Sequence, residues 1–106
     1  MQNMQVHQLC FALWKDGYYY PAIISEVLPN HAKVALLDGS SGITSKDHVV
    51  ELAEAFETME FEGKFRNWWF FYKGKITSHN PMIMHYYDGD VEQIELRQLR
   101  GIRRGN

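Results

Sequence analysis

The chain has 106 residues, a formal net charge of −2 and one cysteine. A charge this close to zero excludes strong bulk attraction to nucleic acid, and a lone cysteine excludes an internal disulfide and fits a reducing compartment. The sequence has no apolar run of about 18 residues, so we expect no membrane span and an intracellular protein, nuclear in a eukaryote and cytoplasmic in a bacterium.

The first half of the chain, residues 6–52, has the pattern of a small unit built from short strands. Apolar, aromatic and β-branched runs alternate here with turn residues such as Lys15-Asp16-Gly17 and Asp38-Gly39, which is typical of antiparallel hairpins. The predicted strands are residues 9–14, 18–27, 32–37 and a short one that begins at residue 42. Pro21 lacks a backbone donor, so its place in the second strand predicts an edge position or a bulge.

The second half, residues 61–102, follows a linker at residues 53–60. Its predicted strands are residues 68–78, 82–87 and 91–94, with a last short strand near the end. Apolar residues around the linker recur at the spacing of one helix face, which predicts a short amphipathic helix there. The chain ends in an arginine-rich segment that includes a basic tail at residues 103–106, which we expect to fray or to contact phosphate.

The two halves repeat each other in order and spacing. Tyr20 and Tyr72 occupy matching places in the long aromatic strands and lie 52 residues apart. The turns Asp38-Gly39 and Asp88-Gly89 lie 50 residues apart. Such a repeat predicts two copies of one small all-β unit. We expect each copy to be a strongly bent sheet closed into a small SH3-like barrel, because closure hides the unpaired groups of the edge strands.

The motifs of both copies resemble the Tudor domain. In the first copy the resemblance lies in residues 11–24, with Ala-x-Trp-x-Asp-Gly-x-Tyr-Tyr-Pro-Ala-x-Ile, and in residues 34–39, with Val-x-x-x-Asp-Gly. In the second it lies in Tyr-Lys-Gly-Lys-Ile and Tyr-Tyr-Asp-Gly-Asp, so that residues 6–102 are covered. The resemblance implies tandem SH3-like barrels that bind peptides carrying methylated lysine or arginine, while some members of the family hold RNA or DNA.

A site that binds a methylated lysine or arginine side chain requires several aromatic rings and one acidic residue. A methylated ammonium donates few or no hydrogen bonds, so ring faces attract it by about 0.5–2 kcal/mol per good contact, and a carboxylate adds charge. The resemblance places this aromatic cage in the second copy. Its residues are Tyr72, Tyr86 and Asp88, with Phe65 as the first-strand aromatic and Trp68 as the other candidate.

The first copy offers a less complete set. Trp14, Tyr20 and Asp38 match the family pattern, but Leu36 and Ser40 stand where the family has aromatic residues. We therefore expect binding in the second copy. Each ring has an alternative place in the core or in an interface between the copies, and each Asp has an alternative role as a turn former.

The leading hypothesis is a non-enzymatic module that binds a methylated or basic peptide, such as a histone tail in a eukaryote. One alternative is an SH3-like nucleic-acid module, and the other is a structural interaction module without methyl specificity. The residues named for phosphate contact are Lys73, Lys75, Arg97, Arg100, Arg103 and Arg104. Five scattered histidines, with no phosphate loop and no nucleophile beside a base, predict no metal, no cofactor and no enzyme activity.

Overall fold

The computed structural model describes residues 3–104, and over this range the protein is all-β with one short helix. The strands of the first half are β1 Leu9–Leu13, β2 Tyr19–Val27, β3 His31–Leu36, β4 Ser41–Ser45 and β5 Val49–Glu51. The helix α1, Leu52–Thr58, joins the halves and takes up most of the predicted linker. The strands of the second half are β6 Met59–Lys64, β7 Phe71–His79, β8 Met82–Tyr86, β9 Val91–Gln93 and β10 Leu99–Arg103. Single turns of 3-10 helix occupy Lys46–His48, Phe65–Asn67 and Leu96–Gln98.

The two halves have the same antiparallel strand order. In the first, β1 pairs with β2 and β5, β2 with β3, and β3 with β4. In the second, β6 pairs with β7 and β10, β7 with β8, and β8 with β9. Gly101 of β10 lies opposite Tyr19 of β2, and this pairing joins the halves into one open antiparallel sheet. The all-β prediction is confirmed, whereas closure of each half into its own barrel stays a prediction.

Matching irregularities in the long strands also relate the halves. The register of β2 shifts between Ile24 and Glu26, and that of β7 shifts between Ile76 and Ser78. The offset is 52 residues, the same as between the matching tyrosines. Because a bulge bends its strand and increases its twist, both halves bend at equivalent places.

Pro21 differs from its sequence-based expectation. It lies inside the paired part of β2, opposite Phe11 of β1, and the register shift of this strand comes after Ile24. Its carbonyl oxygen accepts the backbone N–H of Leu37 at 3.1 Å. Pro21 therefore still accepts a backbone hydrogen bond, although it cannot donate one, and its strand pairs with a neighbour on each side.

The main apolar core is shared by the two halves. Phe11 of β1 packs edge-on against Phe56 of α1 and Phe61 of β6, with ring centroids 5.9 and 5.6 Å apart. The buried residues of this cluster are Phe11, Tyr19, Val50, Ala55, Met59, Phe61, Met84, Tyr86, Ile94 and Leu99. A second cluster lies within the first half, around Cys10, Ile24 and Val34. Because the first cluster draws side chains from both halves, each half buries part of its apolar surface against the other.

Candidate functional site

An exposed aromatic loop joins β6 to β7 in the second half. Three consecutive rings lie there in solvent: Trp68 is 55% exposed, Trp69 is 88% exposed and Phe70 is 68% exposed. The loop begins with Arg66 and Asn67 in the left-handed region, with φ of 51° and 58°. Two successive left-handed residues other than glycine are uncommon, and neighbouring large rings exposed together mark interaction surfaces. The loop is therefore the first candidate for a binding surface.

Three rings meet in a corner at the base of this loop. Phe65 packs edge-on against Trp68, with centroids 5.8 Å apart and ring planes at 88°. It also packs edge-on against Tyr86 of β8, at 5.4 Å and 82°. The guanidinium of Arg66 lies over the Phe65 ring at 5.1 Å and over the Trp68 ring at 5.9 Å. The corner thus holds a cation that belongs to the chain itself.

Glu92 of β9 connects the loop to the floor of the corner. One carboxylate oxygen accepts the backbone N–H of Arg66 at 2.7 Å, and the other accepts the Tyr86 hydroxyl at 2.8 Å. Burial raises the pKa of the Tyr86 hydroxyl, and the hydrogen bond to Glu92 and the charges of Glu92 and Asp88 raise it further. Tyr86 therefore stays a neutral donor. A single acid fixes both the loop backbone and one ring of the corner.

Tyr72 lies on the same face of the sheet as Tyr86. It pairs with Gly63 of β6, and directly opposed residues share a face. A Cβ atom on Gly63 would come within 2.8 Å of the Tyr86 hydroxyl oxygen, so the floor ring lies against the Gly63 backbone. Tyr72 is partly exposed at the rim of this face.

The carboxylates of Asp88 and Asp38 each accept a backbone hydrogen bond within their own turn. Asp88 accepts the backbone N–H of Asp90 at 3.0 Å, and Asp38 accepts that of Ser40 at 2.8 Å. Both carboxylates are at least partly exposed on the loops that follow β8 and β3. The turn-forming role is therefore present in both copies, and in the second copy the charge of Asp88 also acts on Tyr86.

In the first copy, the residues predicted to form a binding site lie at two different cavities. Trp14 stacks on Gly42, where an added Cβ would lie 2.9 Å from the ring, and lines an open cavity of about 450 Å³. Tyr20 donates its hydroxyl to Asp16 and, with Asp38, lines a different cavity of about 50 Å³. Burial and the bond to Asp16 raise the pKa of Tyr20. The structure thus brings together Phe65, Trp68 and Tyr86 in the second copy but not Trp14 and Tyr20 in the first.

A second cation lies between aromatic rings at the junction of the halves. The Arg100 guanidinium stacks between Tyr18 at 3.8 Å and Phe71 at 4.0 Å. It binds Glu62, which also accepts the Tyr18 hydroxyl at 3.2 Å. Arg97 pairs with Glu95, and Arg103 donates to the Tyr19 hydroxyl at 3.1 Å. The sequence predicts a frayed or phosphate-binding end with four arginines. Three of them, Arg97, Arg100 and Arg103, contact other groups of the protein instead.

Sequence reasoning missed Arg66 and Glu92. Glu92 lies opposite Met84 across the Asp88-Gly89 hairpin, so counting pairs outward from that turn would have placed it beside Tyr86. No local signal places the Arg66 guanidinium over its neighbours' rings, because this depends on a left-handed backbone at a residue other than glycine.

Other kinds of site find little support in the described residues. Across residues 3–104, no three His, Cys, Asp or Glu side chains come together as a metal site would require. None of the helical segments in this range has the length and apolar character needed to traverse a bilayer. Neither the scan of protein-family models nor the search of curated proteins gives a match to this chain.

Proposed function

We propose that this protein is a non-enzymatic binding module that takes a methylated lysine or arginine side chain of a peptide partner. The binding site is the corner formed by Phe65 and Trp68, with the buried Tyr86 ring packed against Phe65 from behind, Tyr72 at its rim and Asp88 beside it. The observation that carries the proposal is the position of the Arg66 guanidinium over the Phe65 and Trp68 rings. Those ring faces already attract a delocalised cation, and a methylated side chain presents the same kind of charge.

The energetics favour exchange of one cation for another. Arg66 lies within the distance of about 6 Å at which ring faces attract a cation, and an exposed contact of this kind contributes about 0.5–1 kcal/mol. That is small enough for an incoming cation to displace it. Two acidic side chains beside the corner favour a cationic ligand over a neutral one. They are Glu92, which accepts the Tyr86 hydroxyl, and Asp88, whose charge acts on that hydroxyl.

Trp69 and Phe70 extend this site along the loop. Their exposed rings lie directly after Trp68 and give an apolar surface for the residues that flank the bound side chain. Tryptophan is enriched among the residues that dominate binding energy at protein interfaces. A peptide partner would thus be held by the cation at the corner and by apolar contacts along the loop.

The fold that goes with this function is a tandem of Tudor-like units, each bent towards an SH3-like barrel. The identical strand order and matched bulges of the two halves support it. A basic tail such as that of a histone fits the acidic site if the source is a eukaryote. An intracellular, chromatin-associated setting is proposed on the same basis, together with the free, buried thiol of Cys10.

The alternative of an interaction surface without methyl specificity uses the same exposed rings. It differs in what the rings would recognise: apolar area rather than positive charge. A neutral isostere of trimethyl-lysine, in which carbon replaces the quaternary nitrogen, has the same shape without the charge. Comparison of the two ligands therefore separates the two functions.

The test is a titration of the labelled protein with three peptides that carry lysine, trimethyl-lysine or the neutral isostere. We expect the ring resonances of Phe65, Trp68, Tyr72 and Tyr86 to shift with trimethyl-lysine at the lowest concentration. Trp14 in the first half serves as the internal control, and its resonances should stay unchanged. Equal affinity for all three peptides, or shifts confined to Trp14, would overturn the proposal.

A further inference from the structure

A groove runs along the outer face of the second half, on the side away from the aromatic corner. It consists of two adjoining cavities of about 280 and 220 Å³. They share four lining residues, Glu60, Phe61, Tyr87 and Arg104. Neither cavity is lined by a residue of the corner, and Tyr86 and Tyr87 show the separation directly. Tyr86 is buried with the corner, whereas its neighbour Tyr87 points outward into the groove.

Basic side chains predominate along this groove. Lys73 and Lys75 come from β7, where alternate residues share a face, while Arg103 and Arg104 come from the end of β10 and beyond. The ion pairs within residues 3–104 use none of these four cations. Of the two acids in the lining, Glu62 is neutralised by Arg100, which leaves the carboxylate of Glu60. The groove is therefore positive although the whole chain is slightly negative.

One aromatic face in the groove is open. Tyr87 is 65% exposed, and its backbone N–H donates to the carbonyl of Lys73 at 3.1 Å, which sets the ring beside that lysine. The ring of Tyr18, which also lines the groove, is already covered by Arg100 at 3.8 Å. Tyr87 is therefore the ring on which an incoming planar group would stack.

We propose that this groove binds single-stranded nucleic acid, with phosphates at Lys73, Lys75 and Arg104 and a base stacked on Tyr87. A basic channel with an exposed ring is the combination that holds single strands without sequence preference. Glu60 distinguishes this ligand from an acidic peptide. A carboxylate in the lining accepts hydrogen bonds from base amino groups, as carboxylates do from cytosine, whereas the carboxylate side chains of an acidic peptide offer no such donor.

The test is fluorescence anisotropy with a labelled oligodeoxycytidylate of about twelve nucleotides, measured over a range of salt concentrations. We expect binding that weakens as salt rises. Lys73→Gln and Arg104→Gln should each reduce the slope of log affinity against log salt by about 0.7. Tyr87→Ala should weaken binding about tenfold and leave the slope unchanged, because a stacked base releases no counterions.

Matched controls make each outcome decisive. Lys46→Gln removes the same charge from the first half and should change neither affinity nor slope, and Tyr87→Phe should keep most of the affinity. Circular dichroism of each variant reports folding, and the salt slope of the unaltered chain tests the proposal without any substitution. Absence of binding at low salt, no effect of Tyr87→Ala, or displacement of the oligonucleotide by a polyglutamate peptide of equal charge would overturn it.

Discussion

Arg100 and Glu62 lie directly opposite each other across β10 and β6, and their ion pair sits at the junction of the two halves. Two guanidinium nitrogens, Nη2 and Nε, contact the same carboxylate oxygen at 2.7 and 2.9 Å. The side chains are only 21% and 11% exposed. The Arg100 guanidinium also donates from Nη1 to the Tyr20 hydroxyl of the first half at 3.4 Å. One arginine thus links residues of both halves.

This linkage predicts a large stability loss in Arg100→Ala. The substitution leaves the Glu62 carboxylate in a partly buried place with the Tyr18 hydroxyl as its remaining donor, and removes the packing between two rings. We expect the free energy of unfolding in urea to fall by about 2–3 kcal/mol. Lys33→Ala, which breaks an exposed pair with Glu26, is the control and should cost less than about 0.5 kcal/mol. Equal losses in both variants would contradict the structural role of the pair.

The aromatic corner predicts that Arg66→Ala tightens binding of a trimethyl-lysine peptide. The substitution removes the internal cation from the Phe65 and Trp68 rings, so the ligand no longer has to displace it. An exposed contact of about 0.5–1 kcal/mol corresponds to a gain of about two- to fivefold in affinity, measurable by calorimetry. Arg97→Ala removes the same charge outside the corner and should leave the affinity unchanged. Weaker binding after Arg66→Ala would show that Arg66 contacts the ligand instead of competing with it.

The buried thiol of Cys10 leads us to expect that the protein loses stability at high pH. Its side chain is fully buried, and burial raises the pKa of the thiol from 9.0 to about 11. Because the folded state keeps the proton longer than the unfolded state does, the thiol's contribution is complete below pH 9 and is lost as the pH rises towards 11. We expect the free energy of unfolding to fall by about 1 kcal/mol per pH unit in this window. In Cys10→Ala the free energy of unfolding should fall less steeply with pH over the same range. An equal fall in the variant and the unaltered protein would show that the Cys10 thiol is not its cause.

The shared core predicts that the two halves unfold together. Phe11 is fully buried between rings of α1 and β6, so Phe11→Ala leaves a cavity in the cluster that joins the halves. We expect a cost of about 3–5 kcal/mol, with tryptophan fluorescence and far-ultraviolet circular dichroism giving one coincident transition. Ile43→Ala, at an exposed site in β4, should cost under about 1 kcal/mol. Two separate transitions in the unaltered protein would show that each half is stable alone.

Part of the candidate site could be found from sequence because it depends on local pattern. Tyr72 and Tyr86 lie on strands whose bounds follow from runs of aromatic and β-branched residues and from the Asp88-Gly89 turn. The repeat identified these positions as equivalents of Tyr20 and Leu36. Counting from that turn could have placed Glu92 near Tyr86, but sequence could not show that Glu92 would also accept the backbone N–H of Arg66, because that contact depends on how the loop between β6 and β7 lies against β9.

By itself the sequence determined that the chain is all-β, that its halves match and roughly where eight of the ten strands in residues 3–104 lie. It missed β5 and β6, and β6 begins inside the predicted linker. The features that it determined depend on neighbours a few residues apart, through side-chain alternation and turn chemistry. Only the tertiary structure decided which charges are used internally and which face outward. Arg100 and Glu62 are 38 residues apart and meet because β10 lies beside β6, while the Arg66 side chain reaches two rings through a left-handed backbone. The energy of such contacts comes from the packed chain as a whole, so local pattern does not encode them.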